Sequence, residues 1–162
     1  MTQHIAFIGL GSNLGASGEQ LRQALTNIAA LPETNLLAQS SLYRSAPIGF
    51  LGQPDFVNTV AKISTRLTPQ VLLAALLQIE QHYGRERTFH NAPRTLDLDV
   101  LLYDDLQLQE HGLTIPHPLM HLRAFVLLPL LEMAPGCMIP GIGSAKLAMR
   151  DCQDQDLEKL LT

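Results

Sequence analysis

The stretch Pro93-Arg94-Thr95-Leu96-Asp97-Leu98-Asp99-Val100-Leu101-Leu102-Tyr103-Asp104-Asp105 constrains the fold of this chain more than any other. Its middle is aliphatic and β-branched, bounded by Pro93 and by the acidic turn Asp104-Asp105, and predicts a β-strand. Side chains alternate along a strand. Asp97, Asp99, Leu101 and Tyr103 are therefore expected on one face, with Leu96, Leu98, Val100 and Leu102 on the other. Two carboxylates roughly 7 Å apart along the chain would point the same way from an otherwise apolar strand. Burying such a pair is unfavourable unless something positive lies between them. Hard cations such as Mg²⁺ meet that need, taking one or two carboxylates plus substrate phosphates. A bare Asp-x-Asp is more simply a solvated face. The aliphatic opposite face and the adjacent Arg94 favour a metal–phosphate site.

At 162 residues, 46% hydrophobic and 16% charged, the chain suits one globular domain, 1–162, with a sizeable core. Its net charge of -4 argues against broad electrostatic binding to nucleic acid or to an anionic membrane. Cys137 and Cys152 are too few for a disulfide framework and lack partners at zinc-ligand spacing. The opening His4 to Ile8 has neither a basic region nor a long apolar run, so no signal peptide is read. No segment reaches the roughly 18 apolar residues of a membrane span. A cytoplasmic protein is expected, and a monomer, since no long apolar stripe is left unclaimed.

Ile5 to Ile8 reads as a short buried strand, and Gly9-Leu10-Gly11-Ser12-Asn13-Leu14-Gly15 as the loop that follows it. That loop matches neither phosphate-binding glycine pattern, so it is taken as a tight strand-to-helix turn. Ser17 with Gln20 makes a capping-box start for a helix carrying Leu21, Leu25, Ile28 and Leu31, which Pro32 stops. A strand is expected from Leu36 to Arg44. The loop from Ser45 to Pro54 exposes Ile48, Phe50 and Leu51, unusual for a plain linker. Phe56 to Thr65 alternates, with Phe56, Asn58 and Val60 on one face; an aromatic beside a carboxamide suits a flat polar heterocycle, although an ordinary core Phe next to a satisfied Asn is the default for that pair by itself.

Thr68-Pro69 caps the clearest helix, with the stripe Leu72, Leu76, Ile79 and Tyr83, ending at Gly84. Arg85, Arg87, His90 and Arg94 follow within one loop, placed to clamp phosphate oxygens just before the two aspartates. Leu106–Leu108 and Leu113–Ile115 read as a small hairpin, and Pro116-His117-Pro118 as a rigid turn. Leu122 to Met133 carries a helical pattern interrupted by Pro129; a short helix near Ser144 to Arg150 and a polar tail complete the chain.

Together these pieces resemble the 6-hydroxymethyl-7,8-dihydropterin pyrophosphokinases of folate biosynthesis. The resemblance runs through Ile8 to Gly15, Tyr43-Arg44-Ser45, Gln53-Pro54-Asp55-Phe56-Val57-Asn58, Ile79-Glu80 and Gly84-Arg85. It continues through Pro93-Arg94-Thr95-Leu96-Asp97-Leu98-Asp99, Ile115-Pro116-His117-Pro118 and Arg123 to Leu130. It implies an α+β, ferredoxin-like α/β sandwich, a mainly antiparallel sheet with helices packed on its faces. It further implies transfer of pyrophosphate from ATP to the pterin hydroxymethyl oxygen, releasing AMP. By the same resemblance Asp97 and Asp99 would hold two Mg²⁺, Asp97 lying nearer the pterin and assisting deprotonation. Arg85 and Arg94 would neutralise phosphate charge, and His117 and Arg123 would contact the ATP phosphates. Phe56 and Phe125 would sandwich the pterin, Asn58 would bond its edge, and Ser45, Ala46 and Ile48 would complete that subsite. Glu80, Val100 and Thr114 would line the nucleotide pocket. Gly49–Gln53 and Glu86–Ala92 would be mobile segments, and the glycine-rich turn would stay structural.

Two rivals differ in class. Nucleotidyltransferases also combine Gly-Ser with Asp-x-Asp, but about a dozen residues apart; here Gly11-Ser12 and Asp97 are separated by most of the domain. A ligand-binding module without catalysis would have no need of two phosphate-clamping metals.

Overall fold

Strand β1 (His4–Ser12) lies between β4 (Phe56–Thr65) and β5 (Asp97–Tyr103) and runs antiparallel to both. The computed structural model describes residues 2–12, 17–45, 56–83 and 96–160. On the far side of β4 lie β2 (Thr34–Gln39) and β3 (Tyr43–Ser45), and β10 (Leu157–Lys159) extends the sheet beyond β3. The path β10-β3-β4-β1-β5 contains the interleaved order of a split β-α-β unit, as expected for a ferredoxin-like sandwich.

Alternation along β1 explains why the sheet is covered on both faces. Ala6, Ile8 and Leu10 point to α1 (Ser17–Ala29) and α2 (Pro69–His82), whose Leu21, Leu25, Ile28, Leu72 and Leu76 are buried against them. Each such side chain contributes about 1.5–3 kcal/mol on full burial. Phe7 points the other way, joining Val60, Leu101 and Leu102 beneath α3 (Ala124–Met133) and α4 (Ala145–Arg150). Pro69 opens α2 and the Thr68 Oγ1 accepts from the Val71 N–H at 3.2 Å, the predicted cap. The hairpin pairs β6 (Leu108–Glu110) with β7 (Leu113–Ile115), and a short pair of β8 (Met138–Ile139) and β9 (Gly143–Ser144) precedes α4. Both cysteines are free, and no helix among the described residues is long and apolar enough to cross a membrane.

Several sequence expectations need correction. β1 does not end at Ile8 but continues through Gly9 and Gly11 to Ser12, because neighbours on both sides supply its ladder bonds. Gln20 of the expected capping box accepts at Oε1 from the Ser12 hydroxyl, and the Ser17 side chain of that box lies outside the described residues. The strand expected over 36–44 is two strands, since Ser40 turns its hydroxyl into the sheet, accepting from the Val60 N–H at 3.0 Å and meeting Thr59 Oγ1 at 2.9 Å. In β5 a bulge opposite Phe7 and Ile8 breaks the alternation. Leu102 therefore joins Leu101 on the Phe7 side, while Tyr103 packs with Leu98 and Val100 and donates to the Leu67 carbonyl at 2.7 Å. The first hairpin strand starts at Leu108, and the helical segment after it is a 3-10 turn (Met120–Leu122) followed by α3. Pro129 does not interrupt α3: burial of Val126, Leu127 and Leu130 holds the helix through it. The polar tail forms β10, with Leu157 opposite Ser45 and Lys159 opposite Tyr43.

Glu132 at the end of α3 locks the helix to the β3 edge. The Ser41 N–H donates to it at 2.8 Å, the Ser41 hydroxyl at 3.2 Å, and the Tyr43 hydroxyl also donates, with Lys159 Nζ 3.9 Å away. Burial acts to raise the Glu132 carboxyl, but these donors outweigh it and leave it below its ordinary value. Burial and the same carboxylate push the Tyr43 phenol above its ordinary value. A depressed carboxyl contributes stability above its unfolded pKa and loses it as pH falls through the folded one. Glu132→Gln is therefore expected to lose roughly 1–2 kcal/mol near neutrality. The difference from the parent should narrow as pH falls through and below the ordinary carboxylate range, as measured by urea denaturation; a difference unchanged from neutral to acid pH would show that charge plays no part.

Candidate active site

The two-sided pairing of β1 sets side chains from three strands into transverse rows. Gly11 is opposite Asn58 of β4 and opposite Asp97 of β5; one repeat further, Gly9 is opposite Val60 and Asp99. With adjacent strands about 4.8 Å apart, each row spans roughly 10 Å from β4 to β5. Asp97 and Asp99, both half-buried, stand on the same face as Asn58. That face opens into a cavity of about 260 Å³, which Ser45, Phe56, Asn58, Asp97 and Asp99 line from the sheet. Arg123, Phe125 and Val126 close it from the start of α3.

The polar members are held by specific bonds. Asn58, 6% exposed, donates from Nδ2 to the Ser45 hydroxyl at 2.9 Å, which orients its amide plane in the cavity wall. Arg123 sits at the N-cap position of α3 with its guanidinium 5.5 Å from the centre of the Phe125 ring, a cation–π contact. Gln155 pins that turn: its Oε1 accepts from the Ala124 N–H at 2.9 Å, and its Nε2 donates to the Leu122 carbonyl at 2.9 Å. The His117 N–H donates to the Leu101 carbonyl at 3.0 Å, anchoring the proline-flanked turn to β5. Burial lowers the His117 pKa; the Asp99 charge opposes this and the Arg123 charge adds to it. His117 Nδ1 accepts from the Leu119 N–H at 3.1 Å, so the neutral ring assigned on this network carries its proton on Nε2. Asp99, His117 and Arg123 thus form one electrostatic group beside the cavity.

Three residues assigned to a nucleotide pocket, Glu80, Val100 and Thr114, are not among those lining this cavity. Val100 is buried in the apolar layer on the opposite face of β5, and Thr114 sits on β7 opposite Gln109. Glu80, 4% exposed on α2, accepts from the Leu98 N–H at 2.7 Å. That contact fixes the backbone between Asp97 and Asp99, so the described role of Glu80 is to hold the strand that carries the acids. Ala46, Ile48, Arg85 and Arg94 lie outside the described residues, as do 49–53 and 86–92.

Sequence reasoning missed Gly9 and Gly11 as cavity residues, together with Leu101, Thr59 and Val126. The signal for the glycines was their spacing: two glycines at i and i+2 belong to one face of a strand. Among the described residues, no third carboxylate, His or Cys joins the aspartates as a metal cluster. An ion held by Asp97 and Asp99 would complete its shell from phosphate oxygens and water, which is how Mg²⁺ is commonly bound.

The family model for 7,8-dihydro-6-hydroxymethylpterin-pyrophosphokinase (HPPK) matches residues 7–135 of the chain. The 2-amino-4-hydroxy-6-hydroxymethyldihydropteridine pyrophosphokinase of Haemophilus influenzae is 45% identical over 155 residues, covering 96% of this chain and 97% of its own. The protein of the same name from Pseudomonas aeruginosa is 44% identical over 154 residues, 95% of each. In the crystal structure of wild-type Plasmodium falciparum HPPK-DHPS with pteroate, a similar fold covers 92% of this chain and 42% of that one, at a TM-score of 0.73 and 13% identity. That likeness is one of fold, with a protein more than twice as long.

The Glu80–Leu98 contact has a direct test. Glu80→Ala removes the acceptor of a buried N–H and is expected to lower stability by roughly 1–3 kcal/mol, with Glu80→Gln recovering most of the loss. An unchanged denaturation midpoint in Glu80→Ala would show that the bond contributes nothing.

Proposed function

The chain belongs to the 7,8-dihydro-6-hydroxymethylpterin-pyrophosphokinase family, and we propose that the cavity on its sheet is where that family's reaction takes place. The reaction transfers the pyrophosphoryl group of ATP to the hydroxymethyl oxygen of 6-hydroxymethyl-7,8-dihydropterin and releases AMP, a step of folate biosynthesis. One observation carries the assignment of the site: the carboxylate pair and the aromatic–amide set, far apart in sequence, line the same cavity.

The two ends of the cavity suit the two substrates. Phe56 and Phe125 supply flat apolar walls for a pterin ring, and Asn58, oriented by Ser45, offers its amide to the polar ring edge. Ala46 and Ile48 belong to the same proposed subsite. Arg123, against the Phe125 ring, and the Nε2–H of a neutral His117 are the proposed donors for phosphate oxygens. Arg85 and Arg94 complete the proposed phosphate clamp, neutralising charge that develops during transfer. Glu80, Val100 and Thr114 remain with the nucleotide end, Glu80 through its hold on β5.

Asp97 and Asp99 would hold two Mg²⁺ ions, which offset phosphate charge and stabilise both the attacking and the leaving oxygen. Asp97 shares the Gly11 row with Asn58, whereas Asp99 is one repeat further along. That placement supports Asp97 as the carboxylate that takes the proton of the acceptor hydroxyl as its oxygen bonds to the β-phosphorus. The bond from that phosphorus to the α-bridging oxygen breaks, and AMP leaves. We further propose a cytoplasmic monomer acting on small molecules, with neither nucleic acid nor membrane as partner; the net charge of -4 supports the first exclusion.

Products decide the reaction class. With ATP, Mg²⁺ and the dihydropterin, the protein is expected to form AMP only when the pterin is present. An Asp97→Ala, Asp99→Ala double variant should lose activity by at least about 10³-fold while its fold is retained. ADP as product would make it a simple phosphoryl transferase, and free pyrophosphate a nucleotidyltransferase. No turnover despite bound ATP would reduce the chain to a binding module.

A further inference from the structure

Gly9 and Gly11 lie inside β1, yet their backbone does not call for glycine. Neither has φ in the left-handed region, and both are paired on two sides within regular ladders. Glycine inside a strand is unfavourable by roughly 0.5–1 kcal/mol relative to alanine and often marks close approach of a ligand. What a side chain would meet separates the two positions. A Cβ on Gly9 would press on the Leu101 side chain at 3.3 Å, so core packing is sufficient reason for that glycine. Among the described residues, a Cβ on Gly11 would meet one group within 4 Å, the Asn58 Oδ1 at 3.1 Å, on the cavity side of the sheet. Ser45 holds the other end of that amide through Nδ2, so a shift of Oδ1 strains that bond.

We propose that Gly11 is a specificity-determining position of the acceptor subsite: its missing side chain forms the floor across which the acceptor's hydroxymethyl arm passes from Asn58 to Asp97. The inference rests on the pyrophosphokinase reading and adds to it a residue that the sequence assigns to a turn. The row Asn58–Gly11–Asp97 gives the geometry, an amide that reads the ring at one end and the proton-accepting carboxylate at the other. Between them the sheet is flat only because position 11 carries no side chain. A methyl group there both displaces the amide oxygen and fills the space above the strand. The same floor sets how bulky an arm can be, so an acceptor branched at its carbinol carbon competes for the volume that glycine leaves open.

The test separates the acceptor from the nucleotide. Gly11→Ala is expected to raise the KM for the dihydropterin about tenfold or more, the range in which one methylene-sized group discriminates in a pocket. Binding of a fluorescent ATP analogue with Mg²⁺ should change by less than about twofold on the same scale. The 6-(1-hydroxyethyl) analogue of the dihydropterin, assayed by AMP release, should lose more in Gly11→Ala than the parent acceptor does. Equal weakening of both substrates, or an unchanged pterin KM, overturns the proposal. So does a Gly11→Ala protein that fails to fold, since the glycine would then serve the strand itself. Absence of pterin-dependent AMP from the parent protein is a separate result, and it would refute the reaction rather than the role of Gly11.

Discussion

The double ladder of β1 is the constraint on which the rest of the structure depends. A strand paired on both sides has its register fixed twice, and a slip of one residue against either neighbour would turn every side chain to the wrong face. Here the same register that buries Ala6, Ile8 and Leu10 under α1 and α2 also places Gly9 and Gly11 opposite Asp99 and Asp97. Core packing and site assembly are therefore one event. Burial on both faces contributes the free energy, and the cavity-lining positions of the same three strands inherit a defined geometry from it.

Polar contacts then fix what hydrophobic burial leaves adjustable. Glu80 reaches from α2 to the Leu98 N–H, Glu132 from α3 to Ser41 and Tyr43, and Gln155 from the C-terminal segment to the turn carrying Arg123. Each ties a helix or turn to the backbone beside a cavity residue: Asp97 and Asp99, Ser45, and Arg123 with Phe125. Carboxylates and amides that pair with N–H and O–H donors are directional in a way that Leu–Leu contact is not. A cavity lined by an oriented amide at Asn58 and by two carboxylates at Asp97 and Asp99 keeps its geometry through such direction. Burial lowers the His117 pKa in the same neighbourhood, against the Asp99 charge and with the Arg123 charge.

The residues were legible in sequence to different degrees, for physical reasons. The Asp97–Asp99 pair was visible because strand periodicity is local and needs no partner to be read. The Thr68–Pro69 start of α2 was visible for the same reason, since a cap is a contact between near neighbours. The pairing of Phe56 and Phe125 with those acids came from family resemblance, as no local rule joins positions so far apart. Tyr103 was assigned to the wrong face because a bulge depends on how β5 meets β1, which the strand's own pattern does not encode. Pro129 was read as a break, and burial of its neighbours overrode it.

By itself the sequence determined the main helices and the β4 and β5 strands, much of the core, and the presence of two carboxylates on one face of one strand. These follow from propensity, capping and alternation, all of which act over a few residues. Tertiary structure decided that the glycines of β1 lie in the strand instead of a turn, that the polar tail becomes an edge strand, and that Asn58 and Asp97 share a row across Gly11. Those outcomes depend on which strand lies beside which. Neighbouring strands supplied the ladder bonds that carried β1 through two glycines, and only that continuation brings the amide and the carboxylate to opposite ends of one floor.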